Sequence, residues 1–165
     1  MGISIYKHIF MKAKMSRIVL FLLFPILFCG FTSPHDNSGT LVLEISHITA
    51  QTGDVHVAIF NSQGTFLKDK QYILAKRFVV DNQTGSFMRV EIPNLPYGTY
   101  AMSIYHDINN NHILDQSGLG IPIEPYALSN NVKVKWRRPS FEECKFVFGE
   151  PSKTMGFELK YWKDR

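Results

Sequence analysis

Asp107, Asn109, Asn111 and Asp115 stand at alternating or near-alternating positions within His106–Asn131, HDINNNHILDQSGLGIPIEPYALSNN. Oxygen-bearing side chains at that spacing, without an apolar period, match the first half of a calcium-binding loop. Such loops take ligands from positions one, three, five and nine, and a backbone carbonyl from position seven. Counted from Asp107, position seven is Ile113. Glu124, folded back, is the candidate for a further carboxylate. Two positions depart from the pattern: position six, normally Gly for the sharp bend, is His112, and position twelve, normally a bidentate acid, is Gly118. With two certain negative charges, the expected calcium affinity is on the order of 10⁻⁴–10⁻³ M. The alternative is an Asn-rich connector whose side chains satisfy their own backbone through Asx turns, with no metal.

Other chemistries find fewer residues. His106, His112 and Asp115 would suit zinc or copper by ligand type, but the oxygen count favours a hard ion. His106 and Asp107 at a strand end, with Glu124, form an acid–base set for a hydrolase-like enzyme. No G-x-S-x-G elbow, Cys–His signature or phosphate-cradling glycine loop accompanies them. Trp136, Trp162 and the tyrosines offer a sugar-stacking face, although packing in a core or on a sheet face is their commoner use. Cys144 reads as a small buried hydrophobe.

The elements that must position these residues read as strands. Leu41, Leu43 and Ile45 alternate with Val42, Glu44 and Ser46, and Val55, Val57 and Ile59 with His56, Ala58 and Phe60. Further runs cover 71–80, 88–92 and 100–106. Val132, Val134 and Trp136 alternate with Lys133, Lys135 and Arg137, and Phe157, Leu159 and Tyr161 close the chain. Period two over short runs between turn residues is the pattern of half-buried antiparallel strands. Within Pro139–Phe148, Ser140 can cap a helical turn carrying Glu142 and Glu143, before a strand through Phe146 and Phe148. The expected fold is an all-β antiparallel sandwich of about seven or eight strands, transthyretin-like or immunoglobulin-like, with one long polar loop.

The chain has 165 residues, enough for one domain and a targeting segment. A basic stretch over 1–17 precedes the apolar run Ile18–Phe31, which at 14 residues is short for a permanent span. With the small-x-small site Gly30–Thr32, this reads as a secretory signal over 1–32, followed by a linker over 33–39 and a single domain over 40–165. Cys29 falls within the leader, so no disulfide framework is expected. The net charge is +4, but the four basic residues of the first 32 positions account for it, since no Asp or Glu lies there. The remaining 14 basic and 14 acidic side chains balance. That excludes a nucleic-acid-binding patch as the origin of the basicity.

Two resemblances follow from motifs. The corner Asn94–Tyr100, NLPYGTY, resembles the entry to a core strand in transthyretin-like and carboxypeptidase-regulatory sandwiches; Pro96 fixes one backbone angle and Gly98 permits a positive one. The transthyretin-like hydrolases end Tyr-Arg-Gly-Ser, whereas this chain ends KYWKDR. The set His106-Asp107-x-Asn109-x-Asn111, Asp115, Gly120-Ile121-Pro122-x-Glu124-x-Tyr126, Ser129-Asn130-Asn131 and Pro139-x-Phe141 is similar to a bacterial family of exported proteins known as domain of unknown function 2141. The likeness runs from about Leu41 to Tyr161 and departs from the family at His112 and Ala127, where glycine is usual, and at Cys144. It implies a secreted or periplasmic β-sandwich with no assigned activity. The expectation is an exported, non-enzymatic binding or envelope-assembly module. Its partner would be a protein or glycan at the envelope, its loop would be ordered by calcium, and no stable membrane span would remain after signal cleavage.

Overall fold

Leu41, Leu43 and Ile45 are fully buried, and they anchor the first strand of a two-sheet β-sandwich. The computed structural model describes residues 37–68, 70–134 and 137–164. The expected signal segment, and the linker up to residue 36, lie outside them. Strands run Ser38–Ser46 (β1), Asp54–Phe60 (β2), Leu74–Val79 (β3), Phe87–Pro96 (β4), Gly98–Asp107 (β5), Tyr126–Leu128 (β6), Phe146–Phe148 (β7) and Ser152–Glu158 (β8). A single helical turn, Phe141–Cys144 (α1), precedes β7. One sheet has the order β4-β1-β8; the other has β3-β2-β5-β6, with β7 pairing the start of β5. Side chains from both sheets fill a shared core that includes Leu43, Val57, Ile92, Met102, Ile104, Phe148 and Phe157. The all-β sandwich is therefore as expected from the alternation.

The corner at Asn94–Tyr100 is where the chain passes from one sheet to the other, through Tyr97 alone. The Tyr100 hydroxyl donates back to the Pro96 carbonyl at 2.8 Å, a tyrosine corner of the kind found in sandwiches. The positive φ falls at Asn94, at 57°, rather than at Gly98. Gly98 is needed for room instead, since a Cβ there would stand 3.0 Å from the Tyr100 hydroxyl.

Four details differ from the sequence expectation. β8 pairs parallel to β1 while the other pairs are antiparallel. Alternation fixes which face a residue takes but not the direction of the strand. β1 begins at Ser38, inside the expected linker. The closing strand lies earlier than expected, at Ser152–Glu158, and Lys160 only bridges to Tyr126. The alternation at 132–134 is real but is not a strand. Val132 and Val134 pack on a second cluster of Phe60, Phe66, Ala101, Leu128, Phe141 and Cys144, which lies on the outer side of the five-stranded sheet. β6 falls instead at Tyr126–Leu128, within the stretch expected to be loop, and is too short for period two to register.

Ser140 caps α1 as expected. Its hydroxyl accepts from Glu143 N while the Glu143 carboxylate takes the Ser140 N–H at 2.7 Å. Arg137 clamps the same carboxylate with two contacts of 2.8 Å, and these bonds hold its pKa down to about 2. α1 covers one end of the sheet's outer face. The opposite end is left to the polar loop.

Candidate binding face and polar loop

β2 and β5 pair so that Asp54 faces Asp107, Val55 faces His106, and His56 faces Tyr105. Because side chains alternate across a strand, Val55 and His106 turn into the core. Asp54, His56, Tyr105 and Asp107 share the outer face. β3 adds Arg77 opposite His56. Gly53 lets the strands close at this end: its φ is +86°, and a Cβ there would sit 2.0 Å from the Asp107 carbonyl oxygen.

Asp107 is fully buried and organises the loop that follows it. Its Oδ1 accepts from Asn111 N at 3.2 Å and its Oδ2 from His112 N at 2.7 Å. Asn109 Oδ1 accepts from Asn111 N, and Asn111 Oδ1 from Ile113 N, both at 3.0 Å. Asp115 receives one amide on each oxygen, from Asn109 at 2.7 Å and Asn111 at 2.9 Å. Glu124, only 5% exposed, accepts from Ile108 N at 2.9 Å and Asp115 N at 3.0 Å, which pins both ends of the loop. The structure thus brings Asp107, Asn109, Asn111, Asp115 and Glu124 into one network, and in it their oxygens serve the loop's own N–H groups. The bend normally given to Gly is present, with φ of 60° at Asn110 and 66° at His112. For a histidine that backbone costs about 1 kcal/mol.

The acid–base set does not assemble. His106 and Asp107 lie on opposite faces of β5, and His106 Nε2 donates to the Thr52 carbonyl at 2.8 Å. With Glu124 committed to backbone, all three are buried and held by local partners. His106 also stays away from His112 for the same reason. His112 meets residues that no sequence motif had singled out: its ring centroid is 5.9 Å from that of His56, and one ligand atom each from Asp54, His56 and His112 lies within 4.8 Å of the others. Arg77 Nη1 lies 3.1 and 3.2 Å from the two His112 ring nitrogens. The nearest sequence signal was the polar side of the β2 alternation. Only the strand register joins it to position 112.

Between the loop and the described residues Leu67, Lys68, Lys70, Tyr72, Val134 and Arg137–Pro139, the outer face holds a groove of about 1210 Å³. Small residues from adjacent strands, Ala75, Ala58 and Ser103, form its floor. Tyr72, Tyr105, Tyr126 and Trp162 line it, together with Lys68, Lys70, Arg77, Arg137 and Arg138. No Asp or Glu is among the described lining residues.

The molecule is thus a β-sandwich module with a ligand-sized groove on one sheet, walled by a self-bonded Asp/Asn loop. The chain belongs to the family described as an uncharacterized protein conserved in bacteria (DUF2141), whose profile matches residues 43–156, in keeping with the resemblance at the loop. No curated protein matches it. Among solved structures it is similar to a fimbrial assembly protein from Parabacteroides distasonis, at 12% identity and a TM-score of 0.40. That match covers 74% of this chain and spans about half, 52%, of the other.

Proposed function

We propose that this protein is an exported, non-enzymatic binding module of the cell envelope whose groove takes an acidic glycan. One observation carries the ligand class: cationic side chains and four exposed-to-half-buried Tyr and Trp residues border the groove, with no carboxylate among the described lining. Aromatic faces pack against sugar rings while their polar tips stay wet, and guanidinium groups bind carboxylates in a planar, two-bonded fashion. The basic and apolar leader supports export. Against catalysis stands the burial of His106, Asp107 and Glu124, which leaves a substrate no access to them. Calorimetry of the full-length chain with a carboxylated oligosaccharide should show binding that weakens with salt. Lys70→Glu with Arg138→Glu should weaken it at least about tenfold. Equal affinity for a neutral oligosaccharide of the same length would defeat the ligand class, and tight binding of an acidic peptide alone would move the ligand to protein.

Calcium ordering of the loop is the second element of the proposal. Asp115 draws the Asn109 and Asn111 amides to its two oxygens, and the Asn111 oxygen in turn accepts the Ile113 N–H. Each oxygen has a second lone pair beyond the one its N–H partner uses. A calcium ion bound there should raise stability by about 2.7 kcal/mol at a hundredfold excess over Kd. Identical melting curves in millimolar calcium and in chelator would leave the loop ordered by its own hydrogen bonds alone.

A further inference from the structure

We infer that His56, His112 and Asp54 form a site for one transition-metal ion, zinc or copper(II), at the loop end of the groove. One ligand atom from each residue lies within 4.8 Å of the other two. Zinc–imidazole bonds are about 2.0–2.1 Å, which places ligand atoms around one ion roughly 3–4 Å apart. The three therefore stand close to the required spacing, and the exposed ring of His112 has room to close it.

His56 supplies the most specific feature. Its Nδ1 is held by the Tyr105 hydroxyl at 3.0 Å, and the two rings stack at 4.7 Å. Its Nε2 is buried and has no hydrogen-bond partner. A ring fixed through one nitrogen, with the other presented bare, is how metal-ligating histidines are held. Acid lies close by: Asp107 Oδ2 is 3.4 Å from that nitrogen, without the alignment of a hydrogen bond, and 3.6 Å from His112 Nδ1. Asp107 already accepts the His112 N–H, so it tethers the loop histidine beside the strand histidine. Two imidazoles with a carboxylate suit zinc, copper or nickel better than calcium. The site is thus separate in chemistry from the Asn-rich loop, and it stands whether or not the groove takes a glycan.

Arg77 is the competitor. Its guanidinium sits against the His112 ring, and metal loading requires this exposed side chain to swing outward. Three protein ligands would leave a fourth position open, as in sites that also bind water or a ligand group.

The test is calorimetric titration of the chelator-stripped full-length chain with zinc chloride, repeated with copper(II). One equivalent should bind. His112→Gly and His56→Gln should each weaken binding by at least about tenfold. Glycine accepts the left-handed backbone at position 112, so the first variant keeps its fold, and a thermal melt verifies this. Nitrogen-15 spectra should show His56 Nε2 and one His112 nitrogen shifting on zinc addition. No stoichiometric uptake of either metal, uptake unchanged in both folded variants, or shifts confined to His47 and His106 would each overturn the assignment.

Discussion

Asp107 shows how one side chain sets what its neighbours can do. Buried, with no lysine or arginine contact among the described residues, its carboxylate accepts two backbone N–H groups and lies 3.4 Å from His56. Hydrogen bonds to the ionised form are what make a buried carboxylate tolerable. His56 is then caught between opposing influences. Burial lowers its pKa, Asp107 and Asp54 raise it, and Arg77 and His112 lower it again; the net direction is below 6.5. A histidine with a lowered folded pKa takes up its proton more readily unfolded. Its contribution to stability is therefore complete above pH 6.5 and is lost as the pH falls from there through the folded value. Metal-free protein should melt at progressively lower temperature below pH 6.5, with a shallower slope in His56→Gln, and parallel slopes would remove His56 as the cause. The loop oxygens were legible because they follow one another along the chain. His56 was not, since its partners come from β3, β5 and the loop, and only pairing in space collects them. Cys144 was legible by type alone: it is fully buried, and burial with the nearby Glu143 charge pushes its thiol up to about 11.

Among the elements, β5 does the most. It carries the tyrosine corner at its start, pairs β7 and then β6 along one side, and delivers Asp107 to the loop at its end. The start of β2 must press against that end, and Gly53 is what permits it. Gly53→Ala would force a methyl to 2.0 Å from the Asp107 carbonyl oxygen at a φ of +86°. The expected loss is more than about 3 kcal/mol in denaturant unfolding, accompanied by loosening of the loop. A loss under about 1 kcal/mol would mean the strands part there at little cost. β1, β2 and β5 could be read from alternation because one face of each is buried against the other sheet. β6 is three residues long, and Val132–Val134 showed the same alternation while covering a sheet face. Period two reports a half-buried extended segment, and hydrogen bonds decide whether it becomes a strand.

For the whole molecule, charge is balanced beyond the first 32 positions but unevenly placed, and the groove gathers the positive share. Two-layer architecture was readable from strand count and corner motif. The groove was not, because it depends on which outer-face positions are small and on where two loops fold. Among the described residues the five-stranded sheet also stops at β3, whose far side pairs with no other strand there. Lys76 stands opposite Val57, on the core-facing side of that border, between Leu74 and Phe78, which pack inward. A charge set there repels a second copy seeking to extend the sheet. Molecules crowded together would otherwise join border to border into fibres. Replacing Lys76 by Val should therefore leave the monomer at least as stable while making it assemble, visible as a larger species in light scattering, and a variant that stayed monodisperse would show that the border is guarded by something other than this lysine.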